Sequence, residues 1–323
     1  MVVVSIPDSS MAPSGAGIEG IETVVWDLSG IPPRAGEIEV VVAPYMTPKA
    51  SLAAVRHTPN ARLVQLQSAG YEGIPEVLAG IGRADVALAN AAGVHDASTA
   101  ELAVGLAITA LRGLDAHARA QVEGRWERPH GTPSTSLADR RALVVGYGSV
   151  GKAIAARLIP FEVAVTAVAT RARAGDDLVE RVHGTDELPA LLPEHDLVVV
   201  VVPLTEDTRN LVDETFLSAL PDGALVVNVA RGQVADTDAI LAHAGRLRFA
   251  LDVTDPEPLP ADHDLWQAPG VVITPHVGGA STAMAPRMRA LLRRQLEVLA
   301  AGGSALNVVH GDPGALGGSG TLK

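Results

Sequence analysis

The chain has 323 residues and a formal net charge of −12, from 25 lysines and arginines against 37 aspartates and glutamates. It contains no cysteine, which excludes disulfides, thiolate-bound zinc, iron–sulfur clusters and a cysteine nucleophile. The acidic balance and the small number of aromatic residues, three each of Phe, Tyr and Trp, argue against non-specific nucleic-acid binding, which relies on basic patches and stacking rings.

The first ninety residues predict a small α/β unit. Residues 1–7 lack the basic start of a signal peptide, and no apolar run approaches the about 20 residues of a membrane helix. We therefore expect a cytoplasmic protein with no membrane partner. Runs rich in β-formers and bounded by Gly and Pro predict strands at 22–26, 39–43, 62–67 and 83–90, with a helical stretch at 47–57.

A long helix is predicted next, beginning at a capping box. Ser98 and Glu101 have the spacing at which each side chain can accept a hydrogen bond from the other residue's amide. Apolar residues recur from there through Leu111, and this regular spacing predicts burial against a large surface.

From residue 141 onward, strands and helices alternate. The strand candidates are nearly all apolar, as expected where helices cover both faces of a parallel sheet. This pattern predicts a Rossmann-type doubly wound parallel sheet, followed by a final helix capped by Ser281. The predicted strands are 142–145, 163–168, 196–202, 224–228, 249–253 and 271–274.

A glycine-rich segment, Gly146-Tyr-Gly-Ser-Val-Gly151, fits the G-x-G-x-x-G fingerprint directly after a strand and at the start of a helix. The first glycine allows a tight turn, the second lets the backbone approach a pyrophosphate, and the third allows close helix–strand packing. The amides of the helix N-terminus then face the anion. We expect a dinucleotide to contact Gly146, Tyr147, Gly148, Ser149, Val150 and Gly151, with the Tyr147 side chain facing solvent or the cofactor edge.

The residues after the next strand bear on the choice of cofactor. NAD-binding folds usually carry a carboxylate there for the ribose hydroxyls, whereas this chain has Thr170, Arg171 and Arg173. A hydroxyl and two guanidiniums suit a 2′-phosphate, so the sequence favours NADP over NAD. The alternative is a solvated basic loop, which would carry no preference.

Three further strands are followed by ionisable residues: Arg231, then Asp252 and Glu257, then His276. In a doubly wound sheet, ligands bind outside the carboxyl ends of the strands. Each residue alone could be an ordinary surface or turn residue. Their succession on one sheet with a nucleotide loop predicts an active site.

These motifs together resemble the D-isomer-specific 2-hydroxyacid dehydrogenase family. The resemblance rests on the glycine loop and on 202–210, 228–232, 251–258 and 274–279, with looser matches at 67–71 and 90–94. It implies a homodimer whose subunits have two domains. Residues 1–94 and 283–323 are expected to form a smaller flavodoxin-like α/β substrate-binding domain, and residues 95–282 the dinucleotide-binding domain.

The resemblance also implies a role for each site residue. Arg231 is expected to bind the substrate carboxylate and polarise the carbonyl, with His276 as acid/base and Glu257 as its partner. Asp252 is expected to orient the nicotinamide carboxamide. The remaining expected contacts are Ser68, Ala69, Gly70 and Tyr71 for the substrate, and Val202, Pro203, Thr208, Ala230, Gly278 and Gly279 for the cofactor.

The function expected from the resemblance is hydride transfer between NAD(P)H and a small 2-keto acid, with glyoxylate or hydroxypyruvate favoured. Histidine is suited to proton donation near neutral pH, and a neighbouring carboxylate favours its charged form. No metal is needed for this chemistry. Two alternatives are a phosphoglycerate dehydrogenase-like enzyme and a non-catalytic NAD(H)-sensing protein similar to corepressors.

Overall fold

The computed structural model describes residues 1–12, 17–127 and 134–314. They form two compact units. The N-terminal unit consists of the described residues of Met1–His95 and Thr282–Lys323, and the central unit consists of those of Asp96–Ser281.

Fourteen strands lie in the described residues, in two sheets. In chain order they are β1 Val2–Ile6, β2 Ile21–Val25, β3 Ile38–Val42, β4 Leu63–Gln65, β5 Ala87–Ala89, β6 Arg141–Val145, β7 Ala164–Val168, β8 Arg173–Ala174, β9 Arg181–His183, β10 Leu197–Val200, β11 Leu225–Asn228, β12 Arg248–Leu251, β13 Val271–Ile273 and β14 Val308–His310.

Eight α-helices lie in the described residues, together with several short 3₁₀ segments and a longer 3₁₀ helix at Lys49–His57. The α-helices are α1 Ile74–Gly80, α2 Asp96–Arg112, α3 Leu114–Val122, α4 Ser149–Leu158, α5 Leu188–Leu191, α6 Glu214–Ser218, α7 Thr237–His243 and α8 Met284–Ala300.

The N-terminal unit contains a sheet in the order β2-β1-β3-β4-β5-β14, in which only β14 runs antiparallel to its neighbour. The first five strands have the flavodoxin order 2-1-3-4-5, so the expected α/β fold is confirmed. One sheet face packs against α1 and the 3₁₀ helix at Lys49–His57, and the other packs against the apolar side of α8. Strand β1, rich in valine, was not predicted.

The central unit contains a sheet in the order β13-β12-β11-β10-β6-β7-β9-β8. Strands β9, β7, β6, β10, β11 and β12 follow the Rossmann order 3-2-1-4-5-6, and all are parallel. Helix α2 buries Ala103, Leu106 and Ala107 against one face, while α6 and α7 cover the other. The short antiparallel strand β8 at the edge was not predicted.

Two predicted helix caps are wrong. Helix α2 begins at Asp96, so Ser98 lies inside it, and α8 begins at Met284 with Ala283 as a cap residue that makes no side-chain bond. The hydroxyls of Ser98 and Ser281 instead lie 2.5 Å apart and bond to each other.

No single helix in the described ranges is long and apolar enough to cross a membrane. Helices α2 and α3 pass that test only as a pair, and the chain bends by 71° between them at Gly113, whose φ is +64°. Most of the apolar side chains of α2 belong to the core of the central unit.

Candidate active site

The glycine loop joins β6 to α4 and leaves no room for side chains at two of its positions. Gly146 has φ +110°, and a Cβ there would lie 2.5 Å from the Val201 carbonyl oxygen. A Cβ on Gly151 would lie 2.0 Å from the Gly146 carbonyl oxygen. By contrast, a Cβ on Gly148 would meet nothing within 4 Å.

Gly148 is the N-cap of α4, and no side chain caps this helix. The first amides of α4 therefore remain available to an anion, and the backbone at Gly148 is open to its approach. Ser149 is exposed and Val150 half-buried, beside this helix end. These features fit the pyrophosphate of a dinucleotide.

The end of β7 carries three exposed polar residues, Thr170, Arg171 and Arg173. Arg173 Nη2 donates to the Tyr147 carbonyl oxygen at 2.8 Å, which ties β8 to the glycine loop. In the described residues, no carboxylate pairs with either guanidinium. This edge can therefore offer positive charge to an anion.

The expectation that Tyr147 faces solvent or the cofactor edge is wrong, because its side chain is only 2% exposed. The ring packs among Ala155, Ala167, Val179 and Val182. Its hydroxyl donates to Asp176 Oδ1 at 2.9 Å. Burial, followed by this carboxylate contact, raises the pKa of the Tyr147 phenol.

Asp176 is engaged by three donors within the central unit. Lys152 Nζ lies 2.8 Å from Oδ2, and the Leu178 amide and the Tyr147 hydroxyl donate to Oδ1. The Lys152 contact, then the Leu178 amide, holds the pKa of this carboxyl well below its usual range. These contacts hold the Asp176 carboxylate within the central unit, so it does not project from the end of β7.

Arg231 follows β11 in a turn that Asn228 holds from both sides. Asn228 Oδ1 accepts from the Ala230 amide at 3.0 Å, and Nδ2 donates to the Arg231 carbonyl oxygen at 3.1 Å. Arg231 Nη1 donates to the Ala230 carbonyl oxygen at 2.6 Å. The next residue, Gly232, has no room for a Cβ, which would lie 1.9 Å from the Thr254 carbonyl oxygen.

The structure pairs His276 with Glu257, the pairing that the family resemblance implies. His276 Nδ1 lies 2.6 Å from Glu257 Oε1, and both side chains are about two-fifths exposed, at 40% and 43%. Since a carboxylate only accepts, Nδ1 carries the proton of this bond. The other ring nitrogen, Nε2, bonds to none of the residues that the structure describes.

Asp252 is buried beneath the loop that carries His276. Its carboxylate accepts from Thr274 Oγ1 and from the amides of Val277 and Gly278, at 2.7, 2.9 and 2.8 Å. Strands β11, β12 and β13 are parallel neighbours, so their carboxyl ends lie at the same edge of the sheet. Arg231, Asp252 and His276 follow these strand ends.

The remaining expected cofactor contacts lie in the loops of the same unit. Thr208 Oγ1 donates to the Pro203 carbonyl oxygen at 2.6 Å, which closes the turn after Val202. Ala230 and Gly278 are buried, and Gly279 lies in the turn before Ser281. Among the described residues, no group of three or more His, Asp or Glu side chains could hold a metal ion.

In the N-terminal unit, Ser68–Gly70 form a loop after β4. Asn90 Nδ2 donates to the Ala69 carbonyl oxygen at 2.7 Å, and Ser68 Oγ donates to the Gly70 carbonyl oxygen at 2.8 Å. With its carbonyls held, the loop leaves the amides of 68–70 without an acceptor in the described ranges. Such amides can bind a carboxylate. Tyr71 is exposed beside them.

Sequence reasoning missed the residues that hold these loops. Asn228 lay in a quoted motif without a role, and Asn90 is distant from Ala69 in the chain. Buried Asn and Gln at strand ends were the available signal, because a buried amide must find partners. Lys152 and Asp176 carried no such signal, since both are ordinary surface residue types.

Comparisons with known proteins point to one family. A family model for the NAD-binding domain of D-isomer specific 2-hydroxyacid dehydrogenases matches residues 104–278. The chain is 30% identical to a glyoxylate reductase of Thermofilum pendens over 260 residues, 78% of this chain and 75% of that protein. It is 31% identical to a D-3-phosphoglycerate dehydrogenase of Archaeoglobus fulgidus over 231 residues, 70% of this chain and 43% of that protein.

Solved structures are similar over nearly the whole chain. A D-isomer specific 2-hydroxyacid dehydrogenase from Xanthobacter autotrophicus, in complex with NADPH and MES, has a TM-score of 0.76 at 28% identity, covering 97% of this chain and 98% of that one. An NADPH-dependent glyoxylate/hydroxypyruvate reductase from Sinorhizobium meliloti, in complex with citrate, has a TM-score of 0.76 at 25% identity, covering 96% and 98%.

Proposed function

This chain belongs to the D-isomer-specific 2-hydroxyacid dehydrogenase family, and we propose that it reduces glyoxylate or hydroxypyruvate with NADPH. Hydride transfer between NAD(P)H and a small 2-keto acid is the function that the relatives and the fold establish. The observation that carries the proposal is the His276–Glu257 pair at 2.6 Å, on the sheet that also presents the glycine loop.

The chain's residues divide the reaction between binding and proton transfer. Arg231 binds the substrate carboxylate through its planar fork and polarises the carbonyl. His276 gives the proton on Nε2 to the carbonyl oxygen, while Glu257 holds Nδ1 and balances the imidazolium charge. When bound, NAD(P)H supplies the hydride.

The preference for NADPH is supported by the edge at β7. Thr170, Arg171 and Arg173 are exposed there, and guanidiniums pair well with a phosphate. Asp176, the nearby carboxylate that could otherwise contact ribose hydroxyls, is held by Lys152 and Tyr147. Two similar solved structures are described as NADPH complexes or NADPH-dependent enzymes.

A substrate panel with both reduced cofactors tests the proposal. We expect turnover of glyoxylate and hydroxypyruvate to exceed that of pyruvate and of 3-phosphohydroxypyruvate, with a lower KM for NADPH than for NADH. Absence of turnover with all four acids contradicts the substrate class. Preference for the phosphorylated acid favours the phosphoglycerate dehydrogenase alternative, for which a relative is known.

The cofactor preference is tested by Arg171→Ala. Loss of one guanidinium should raise the KM for NADPH about 10-fold and leave that for NADH nearly unchanged, because only NADPH carries the 2′-phosphate. Arg56→Ala is the matched control, since Arg56 is exposed on the 3₁₀ helix of the N-terminal unit. Equal effects on both cofactors contradict the assignment.

The homodimer is also part of this proposal. Val122 and Trp126 are each 88% exposed, and Leu114 at the other end of α3 is 46% exposed. We call these three residues the α3 surface. Large apolar side chains left exposed to this degree are found at protein–protein interfaces, and a second copy of the chain is the proposed partner. We place the enzyme in the cytoplasm, where NADPH is available.

A further inference from the structure

The loop that carries His276 is held from below by one carboxylate. Asp252 follows β12 and is 3% exposed. Its Oδ1 accepts from Thr274 Oγ1 at 2.7 Å and from the Val277 amide at 2.9 Å, and its Oδ2 accepts from the Gly278 amide at 2.8 Å. Its own carbonyl oxygen accepts from the His276 amide at 2.7 Å. Asp252 thus binds the chain on both sides of His276.

His276 has a backbone conformation that needs such support. Its φ is +52°, in the left-handed region that residues other than glycine rarely adopt. Residues held there are maintained by surrounding contacts and are often found at functional sites. The left-handed turn sets the direction in which the imidazole leaves the loop and therefore its contact with Glu257.

Gly278 completes this arrangement. A Cβ at this position would lie 2.9 Å from Asp252 Oδ2 and 3.5 Å from the Thr99 side chain. The absence of a side chain is what lets the Gly278 amide reach the carboxylate. The loop is fixed beyond this point as well, because Ser281 Oγ bonds to Ser98 Oγ on α2.

We infer that Asp252 is a positioning residue that holds His276 in its left-handed turn, so that Nδ1 meets Glu257 and Nε2 is presented to the substrate. This inference rests on the proposed function of His276. It differs from the role that the family resemblance suggests for Asp252, the orientation of the nicotinamide carboxamide. Three of the about four acceptor positions of the carboxylate are already filled by the loop.

Two substitutions separate the two roles. Thr274→Val removes one loop bond to Asp252 while keeping the size of the side chain and leaving the carboxylate itself intact. Asp252→Asn keeps one acceptor oxygen but turns an amide NH₂ toward another donor, either the Gly278 amide or the Thr274 hydroxyl and Val277 amide. If Asp252 binds the nicotinamide carboxamide, only Asp252→Asn should disturb that contact. If Asp252 holds the loop, both substitutions should weaken its hold.

The experiment measures kcat, the dissociation constant of NADPH from fluorescence, and the imidazole ¹⁵N and proton NMR signals of His276 in the full chain. We expect kcat to fall about 10-fold in Thr274→Val and about 100-fold in Asp252→Asn, the larger loss reaching the lower end of what general acid–base catalysis contributes. The NADPH dissociation constant should change less than about 2-fold. The Nδ1–H signal of the His276–Glu257 bond should weaken in both variants without cofactor.

Thr215→Val is the matched control, because Thr215 is exposed on α6 and should change none of the three measurements. A 10-fold weaker NADPH affinity in Asp252→Asn, with kcat and the NMR signal unchanged in Thr274→Val, overturns the inference in favour of the carboxamide role. No change in either variant also overturns it. If the wild type reduces no keto acid, the proposed function fails, while the NMR signal still decides whether Asp252 holds His276.

Discussion

At the scale of single residues, the site depends on which nitrogen of His276 carries which proton. Glu257 accepts from Nδ1, so the tautomer of the neutral ring is fixed, and Nε2 is the atom that we propose exchanges a proton with the substrate. Arg231 lies after a neighbouring strand, in a turn that Asn228 holds.

Substitution Glu257→Gln tests the pairing. The amide oxygen can still accept from Nδ1, but the charge that balances the imidazolium is lost, so kcat for keto-acid reduction should fall about 10- to 100-fold. Binding of NADPH should be unchanged. Kinetics and cofactor fluorescence provide the measurements, with Glu76→Gln as a control because Glu76 is exposed on α1. A wild-type kcat in Glu257→Gln would remove Glu257 from the mechanism.

The residues proposed to carry the chemistry were expected from the sequence and the family resemblance, whereas Asn228, which holds the Arg231 turn, had been given no role. Arg231, Glu257 and His276 stand in short motifs after recognisable strands, and the structure pairs the last two. Ser98 was misassigned because its capping spacing is a local signal, and its true partner, Ser281, is 183 residues away. Tyr147 was misassigned because the apolar pocket around its ring is formed by several separate elements.

At the scale of elements, the glycines of the β6–α4 connection differ in whether the fold requires them. Gly146 and Gly151 have no space for a Cβ because backbone oxygens lie within 2.5 and 2.0 Å of its position. Gly148 has that space, and its φ of −89° suits any residue. The fold therefore does not require glycine at this position, and we propose that the ligand does.

Alanine substitutions distinguish these positions. Gly148→Ala should keep the wild-type unfolding free energy to within about 1 kcal/mol and weaken NADPH binding at least about 10-fold, because the new methyl meets only the pyrophosphate. Gly151→Ala should lower the unfolding free energy by about 1–3 kcal/mol, as overpacked sites do. Denaturant titration and cofactor fluorescence measure both. Unchanged NADPH affinity in Gly148→Ala would contradict the assignment of the pyrophosphate site.

The contacts of Asp176 predict a pH dependence of stability. Its pKa is depressed by Lys152, the Leu178 amide and Tyr147, so its contribution is present above the unfolded value of about 3.9 and is lost as the pH falls through the lower folded value. Asp176→Asn should therefore lower the Tm at pH 7, and the difference should shrink below about pH 3.5. Asp177→Asn serves as the neighbouring exposed control. A difference that is independent of pH would contradict this account.

The central sheet was predicted more completely than its edge. Six apolar strands between β6 and β13 were recognised because burial on both faces leaves an apolar run. Strands β8 and β9 are two and three residues long and carry Arg173, Arg181 and His183, so no hydrophobic pattern marks them. The two strands pair because the chain turns back at residues 175–180, and this turn is seen only in the structure.

At the scale of the whole molecule, the acidic charge of −12 coexists with a site for anions. Local donors account for this: the α4 amides, the guanidiniums after β7 and Arg231. The charge therefore concerns solubility and choice of partner, while ligand binding depends on the donors close to each anion.

The proposed homodimer is tested at this scale by Val122→Asp combined with Trp126→Ala. Charge and truncation on the α3 surface should convert a species of twice the monomer mass into the monomer, as measured by light scattering during size exclusion. Ile31→Asp is the matched control, because Ile31 is 73% exposed in the N-terminal unit. An unchanged dimer would place the interface elsewhere, and a monomeric wild type would contradict the dimer itself.

The discontinuity of the N-terminal unit has a consequence for synthesis on the ribosome. Its sheet face of Val4, Val40 and Leu63 is covered by α8, which is synthesised only after the entire central unit. The central unit is continuous and can fold first, whereas the earliest strands must wait with an apolar face uncovered. Nascent chains that stop before residue 282 should therefore depend most on chaperones, although they already contain every residue assigned to the chemistry.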